Sequence, residues 1–219
     1  MSFLNLYIYV IALSFLVSLT LFSKYYKGSS YLKLFPAFLF IVLVIEILTS
    51  YMASKGKNNL AIYNFFTVFE FCFYLCLLSL IITNKKVKKI ARIFILVYIV
   101  AFVLNTFFVQ KITSVQTITY SLVCLLIVSI CIYYFLELFI LPKAVRLWNN
   151  PAFWICFGLM FFYCCSLPLI GLVHLWMNIA KFLIKNFQQI LNILNIFLYT
   201  SFMIAFLCNR TRKYTLSPS

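Results

Sequence analysis

The sequence predicts an all-α fold, an integral membrane bundle of seven transmembrane helices with the N-terminus outside and the C-terminus cytoplasmic. Three observations predict it. The 219 residues are 66% hydrophobic and 10% charged, with a mean hydropathy of +1.09, whereas soluble domains carry about 45–50% apolar and about 25% charged residues. Apolar runs of bilayer-crossing length, roughly 20 residues each, recur seven times between short polar breaks. Lys and Arg are shared unequally between alternate breaks, as the positive-inside rule requires.

The spans fall near 3–23, 34–53, 60–83, 91–109, 115–140, 152–172 and 183–208, a single domain over 1–219. The first has no basic segment before it and no small-residue cleavage site, so it reads as an anchor and not as a removable signal peptide. Lys24, Lys27 and Lys33 follow it. Span two contains Glu46 and ends at Lys55-Gly56-Lys57-Asn58-Asn59, which turns the chain into span three with Glu70. Lys85, Lys86, Lys88, Lys89 and Arg92 form a basic loop before span four. Span five carries Glu137 near its end, and Pro142-Lys143 and Asn149-Asn150-Pro151 separate it from span six. Pro168 is expected to kink span six. Thirteen of the 18 Lys and Arg residues fall in the odd loops and the C-terminal tail, which assigns those segments to the cytoplasm.

The polar inventory excludes many functions. Three acids, one histidine (His174) and no aspartate cannot build a multi-ligand metal site, bis-histidine haem ligation or a Ser-His-Asp triad. Four glycines leave no phosphate-cradling loop. The chain is expected not to be an enzyme and to carry no cofactor. The net charge of +15 is scattered between apolar runs, so the lipid bilayer and its anionic headgroups are the expected partners, and nucleic acid is not. The basic stretch 85–92 could also dock an acidic signalling partner, and the apolar surface leaves room for a homo-oligomer. The eight cysteines lie within or at the ends of spans, form no Cys-x-x-Cys pair and read as packing residues.

An ionisable group at membrane depth costs a few kcal/mol on insertion scales, so it faces the protein interior and finds a partner. Glu70 lies about 15 Å into span three at 1.5 Å per residue, on one face with Tyr63, Thr67 and Tyr74. Glu46 lies about 10 Å from the outer end of span two. Lys185, Gln188, Asn192, Asn195 and Tyr199 recur at helical spacing along the outer half of span seven. Asn5, Asn105 and Gln116 also lie near outer ends. The polar side chains therefore converge on the outer half of the bundle, either as interhelical hydrogen bonds or as the lining of a pocket for a small ligand or a proton. Glu137 reads as a cytoplasmic-edge ion pair with Lys143 or Arg146, and His174 beside Trp176 as an interfacial anchor.

Seven spans are shared with microbial rhodopsins, G-protein-coupled receptors and three-plus-one-plus-three sugar transporters. Lys185 is too near the outer end to hold retinal, no Asp-Arg-Tyr is present, and no repeat relates the first and last three spans. The motifs Asn59-Leu60-Ala61-Ile62-Tyr63-Asn64 with Phe69-Glu70-Phe71, Asn150-Pro151-Ala152-Phe153-Trp154 with Gly158, and Ala205-Phe206-Leu207-Cys208 resemble a group of uncharacterised seven-helix membrane proteins of Bacteroidota. The resemblance covers almost the whole chain. It implies a sensory or accessory protein of the inner membrane, of a kind found in some cases beside histidine kinases, and it gives Asn64 and Glu70 particular weight. The candidate ligand-binding set is Glu46, Asn64, Glu70, Lys185, Gln188, Asn192 and Asn195.

Overall fold

The computed structural model of the protein describes residues 6–25, 30–140, 147–171 and 181–211. Seven α-helices fill these segments: α1 Leu6–Tyr25, α2 Phe35–Ser54, α3 Leu60–Ile81, α4 Lys85–Phe108, α5 Thr117–Ile140, α6 Pro151–Gly171 and α7 Lys181–Thr211. Stretches within α2 to α7 are long and apolar enough to cross a bilayer, while the described apolar part of α1, Leu6–Thr20, is shorter. The chain is thus a helical, multi-pass membrane protein. Large apolar side chains point outward along every helix, as lipid-facing surfaces do: Leu96 on α4 is 67% exposed and Phe139 on α5 75%.

Each helix packs against the next, and α1 returns to pack against α7, so the seven close into a ring. We call the end where α1, α3, α5 and α7 begin the upper end. α3 is drawn toward the centre, with Phe71, Tyr74, Leu75 and Leu78 fully buried. These residues build an aromatic layer at mid-height. Phe71 meets Tyr98 of α4, Tyr120 of α5 and Tyr163 of α6, with all three centroids at 5.5 Å. Tyr74 meets Phe202 of α7 at 6.2 Å, and Phe202 meets Phe35 of α2 at 5.1 Å. Phe38 of α2 stacks on Phe73 at 3.9 Å. Lipid is as apolar as these rings, so tight packing rather than water exclusion drives their association.

Turn chemistry explains several boundaries. Gly56, at φ +66°, adopts the left-handed conformation that ends α2, and the amide of Lys57 reaches back to the carbonyl of Met52 at 3.0 Å. Asn150 accepts from the amide of Ala152 at 3.1 Å ahead of Pro151, a side-chain cap followed by a residue with no amide to satisfy. α6 remains helical through Pro168, so the proline does not interrupt it. Gly158 lets α6 approach α7 closely, since a Cβ there would meet Ser201 Cβ at 2.8 Å.

The lower end corrects one expectation and adds a contact to another residue. The basic stretch 85–92 is not a loop but the first two turns of α4. Asn84 caps it, accepting from the amide of Lys86 at 2.9 Å, and Lys and Arg are good helix formers. Glu137 makes no ion pair among the described residues, and Lys143 and Arg146 lie outside them. Its two carboxylate oxygens accept the amides of Thr83 (3.1 Å) and Asn84 (3.0 Å), while Asn84 Nδ2 donates to Tyr133 Oη at 2.8 Å. A carboxylate at this helix start offsets the unfavourable placement of four lysines near the positive end of the helix dipole. Glu137→Ala is expected to cost about 1–3 kcal/mol, with faster amide exchange at residues 83–86 by mass spectrometry. Unchanged exchange there would mean that the clamp is not needed.

Candidate functional site

A cavity of about 570 Å³ opens at the upper end and takes wall residues from all seven helices. Its size falls within the roughly 300–1,000 Å³ of small-molecule pockets. On one side stand Tyr7 of α1, Glu46 and Thr49 of α2, and Tyr63, Asn64 and Thr67 of α3. Opposite them lie Tyr98 and Phe102 of α4, Gln116 just ahead of α5, Thr119 and Tyr120 of α5, and Gln188, Asn192 and Asn195 of α7. α6 contributes Ile170. Helical spacing carries the α7 residues to one face, as Gln188, Asn192 and Asn195 are separated by four and three positions.

Glu46 is held by two phenols. Its Oε2 accepts Tyr7 Oη at 2.8 Å and Tyr63 Oη at 3.1 Å. Tyr63 Oη in turn lies 2.9 Å from Thr49 Oγ1, and Asn59 Nδ2 donates to the Thr49 carbonyl at 3.1 Å. The carboxyl is thereby tied to α1 and α3 as well as to its own helix. Gln188 Nε2 donates to Asn192 Oδ1 at 3.3 Å across one turn of α7.

Of the seven residues expected to form the site, five lie on this wall: Glu46, Asn64, Gln188, Asn192 and Asn195. Asn64 also has a second task. It is buried, and its Nδ2 donates to the carbonyls of Ile112 (2.6 Å) and Ser114 (2.8 Å), pinning the α4–α5 loop over the cavity edge. Its amide nitrogen is therefore already occupied.

Glu70 is not a wall residue. It lies one turn below Thr67, where its Oε1 accepts Tyr74 Oη at 3.1 Å. Tyr120, Tyr163 and Tyr199 stand close enough to interact with it electrostatically. The Tyr163 hydroxyl is buried there without a hydrogen-bond partner. Lys185 falls within α7, but its side chain lies outside the described residues, as do His174 and Trp176.

Asn105 and Gln116, expected only to lie near outer ends, form an amide cluster that shapes the α4–α5 loop. Asn105 Nδ2 donates to Gln116 Oε1 at 2.7 Å and to Gln110 Oε1 at 3.0 Å. Gln116 Nε2 reaches Thr106 Oγ1 at 3.0 Å. The aromatic wall positions Tyr7, Tyr98, Phe102, Tyr120 and Phe187 had no signal of their own. In a chain with 20% aromatic residues, a ring facing a cavity reads the same as a ring facing lipid.

Below the wall, Glu70 and the hydroxyls of Tyr74 and Tyr163 sit among the rings of the mid-height aromatic layer, which forms the floor. Among the described residues, no group of three His, Cys, Asp or Glu side chains could hold a metal ion. None of the eight cysteines forms a disulfide, and none of them lines the cavity. Comparison of the chain with protein-family models, with curated proteins and with solved structures gives no match.

Proposed function

We propose that the protein is a receptor-like sensor or accessory subunit of the bacterial inner membrane that binds a small polar molecule in the upper cavity. In this reading all seven helices span the bilayer, the upper end faces outward, and occupancy is relayed to a partner protein. One observation carries it: a polar cavity walled by every helix, with a carboxyl held in place by two phenols, above a tightly packed aromatic floor. Interhelical hydrogen bonding alone needs no void, so the cavity favours binding over a purely structural role. Conduction needs a continuous polar path, and the floor of Phe71, Tyr74 and Phe202 favours binding over transport. Receptors distribute a binding event by touching many elements at once, and a ligand here would contact helices that all reach the lower face. The basic face of α4, with Lys85, Lys88, Lys89 and Arg92, is the surface assigned to an acidic partner.

The test is thiol accessibility. Asn195→Cys, in intact spheroplasts, is expected to react with a membrane-impermeant maleimide added outside, well above the background from the eight native cysteines. No added labelling, or labelling only after the cytoplasmic side is opened, would overturn an outward-facing cavity.

A further inference from the structure

We infer that the cavity is a site for a small organic ammonium ion, a protonated amine carried on an apolar or aromatic body. The inference rests on the binding role just proposed and adds the chemical class of the ligand. Glu46 supplies the first ground. Both phenols donate to the same oxygen, Oε2, and among the described residues nothing donates to Oε1. An acceptor oxygen is thus left free on a group whose position is fixed from three helices. Glu46 is also the one carboxyl side chain among the described wall residues, and no described Lys, Arg or His joins it there.

The rest of the wall supplies the second ground. Tyr7, Tyr63, Tyr98, Phe102, Tyr120 and Phe187 set six aromatic rings around the space. Aromatic faces attract cations and also accommodate an apolar body. Asn192 and Asn195 offer amide oxygens for the remaining ammonium protons. A hard metal cation fits poorly, since calcium seeks six to eight oxygens with several carboxylates among them, and only one carboxylate is present on the described wall. An anion would meet no described Lys or Arg there. Volume agrees with the assignment, because about 570 Å³ holds a ring-bearing amine together with water.

The experiment uses three probes of one shape: 2-phenylethylamine, 2-phenylethanol and 3-phenylpropionate. Each is titrated calorimetrically into the full chain in lipid nanodiscs. The amine is expected to bind at least ten-fold more tightly than either the alcohol or the carboxylate. Glu46→Gln is expected to abolish that preference, and Asn195→Trp, which fills the cavity with Glu46 intact, to abolish amine binding. Should Glu46→Gln not fold, the three probes on the unaltered protein and the Asn195→Trp variant decide the matter. Equal binding of amine and alcohol, or a preference for the carboxylate, overturns the ammonium assignment. If that binding is still lost in Asn195→Trp, the cavity reading survives. If none of the three probes binds, the ammonium assignment falls, and thiol accessibility at position 195 then judges the cavity on its own.

Discussion

Gly158→Leu is expected to separate α6 from α7 and leave little folded protein. The reason is distance. Even a single Cβ at Gly158 would lie 2.8 Å from Ser201 Cβ and 3.2 Å from Ser201 Oγ, and neither atom is the far end of a flexible chain. Gly158→Ala is therefore expected to cost about 1–3 kcal/mol, the usual range for overpacking, and Gly158→Leu distinctly more. Close approach through a small residue is how membrane helices gain packing when lipid offers no hydrophobic driving force. Thermal unfolding in detergent, followed by circular dichroism, measures the loss. Removing the Ser201 side chain should restore the alanine variant, so that Gly158→Ala with Ser201→Gly unfolds near the temperature of the unaltered protein. A Gly158→Ala protein as stable as its parent would show that the contact relaxes without cost.

Phe202→Ala is the second substitution expected to be severe. Phe202 is fully buried and touches Phe35 of α2 and Tyr74 of α3, with Tyr199 5.9 Å away on its own helix. Truncating a buried phenylalanine costs about 3–5 kcal/mol, through lost contacts and the void left behind. Phe202→Leu keeps most of the volume and is expected to lose much less. Denaturation by added sodium dodecyl sulfate separates the two, and equal stability of both variants would argue against a tightly packed floor. Phe202 also bears on the cavity, because the floor defines where the polar space ends.

The helices and their polar faces were legible because they depend on rules that act along one helix. Roughly 20 apolar residues are needed to cross a bilayer, and Gln188, Asn192 and Asn195 share a face because of helical geometry alone. The exposure of Glu46 to a cavity followed from the cost of hiding a carboxyl in lipid. What could not be read depends on which helices meet. Glu137 also accepts backbone amides 53 and 54 positions earlier, a pairing that no spacing along one helix reveals. Asn64 lines the cavity, but its second task, holding carbonyls 48 and 50 residues away, has no mark in the sequence. Glu70 shares a helix face with Tyr63 but lies below the wall, because the depth of a cavity is set by the packing of neighbouring helices. The start of α4 was misplaced for a different reason. Six positively charged or polar residues in nine look like a loop to hydropathy, while Asn84 and the Glu137 carboxylate satisfy the amides that let a helix begin there.

The clamp made by Glu137 has a consequence for how the chain is assembled. The α3–α4 turn is fastened by a residue near the end of α5, so this hairpin acquires its final form only after the following segment has entered the membrane. The ring likewise closes on α7, which packs against both α1 and α6. The cavity therefore does not exist in any nascent chain that ends before the last helix. A product that stops before α7 lacks Gln188, Asn192 and Asn195, and with them one wall of the cavity.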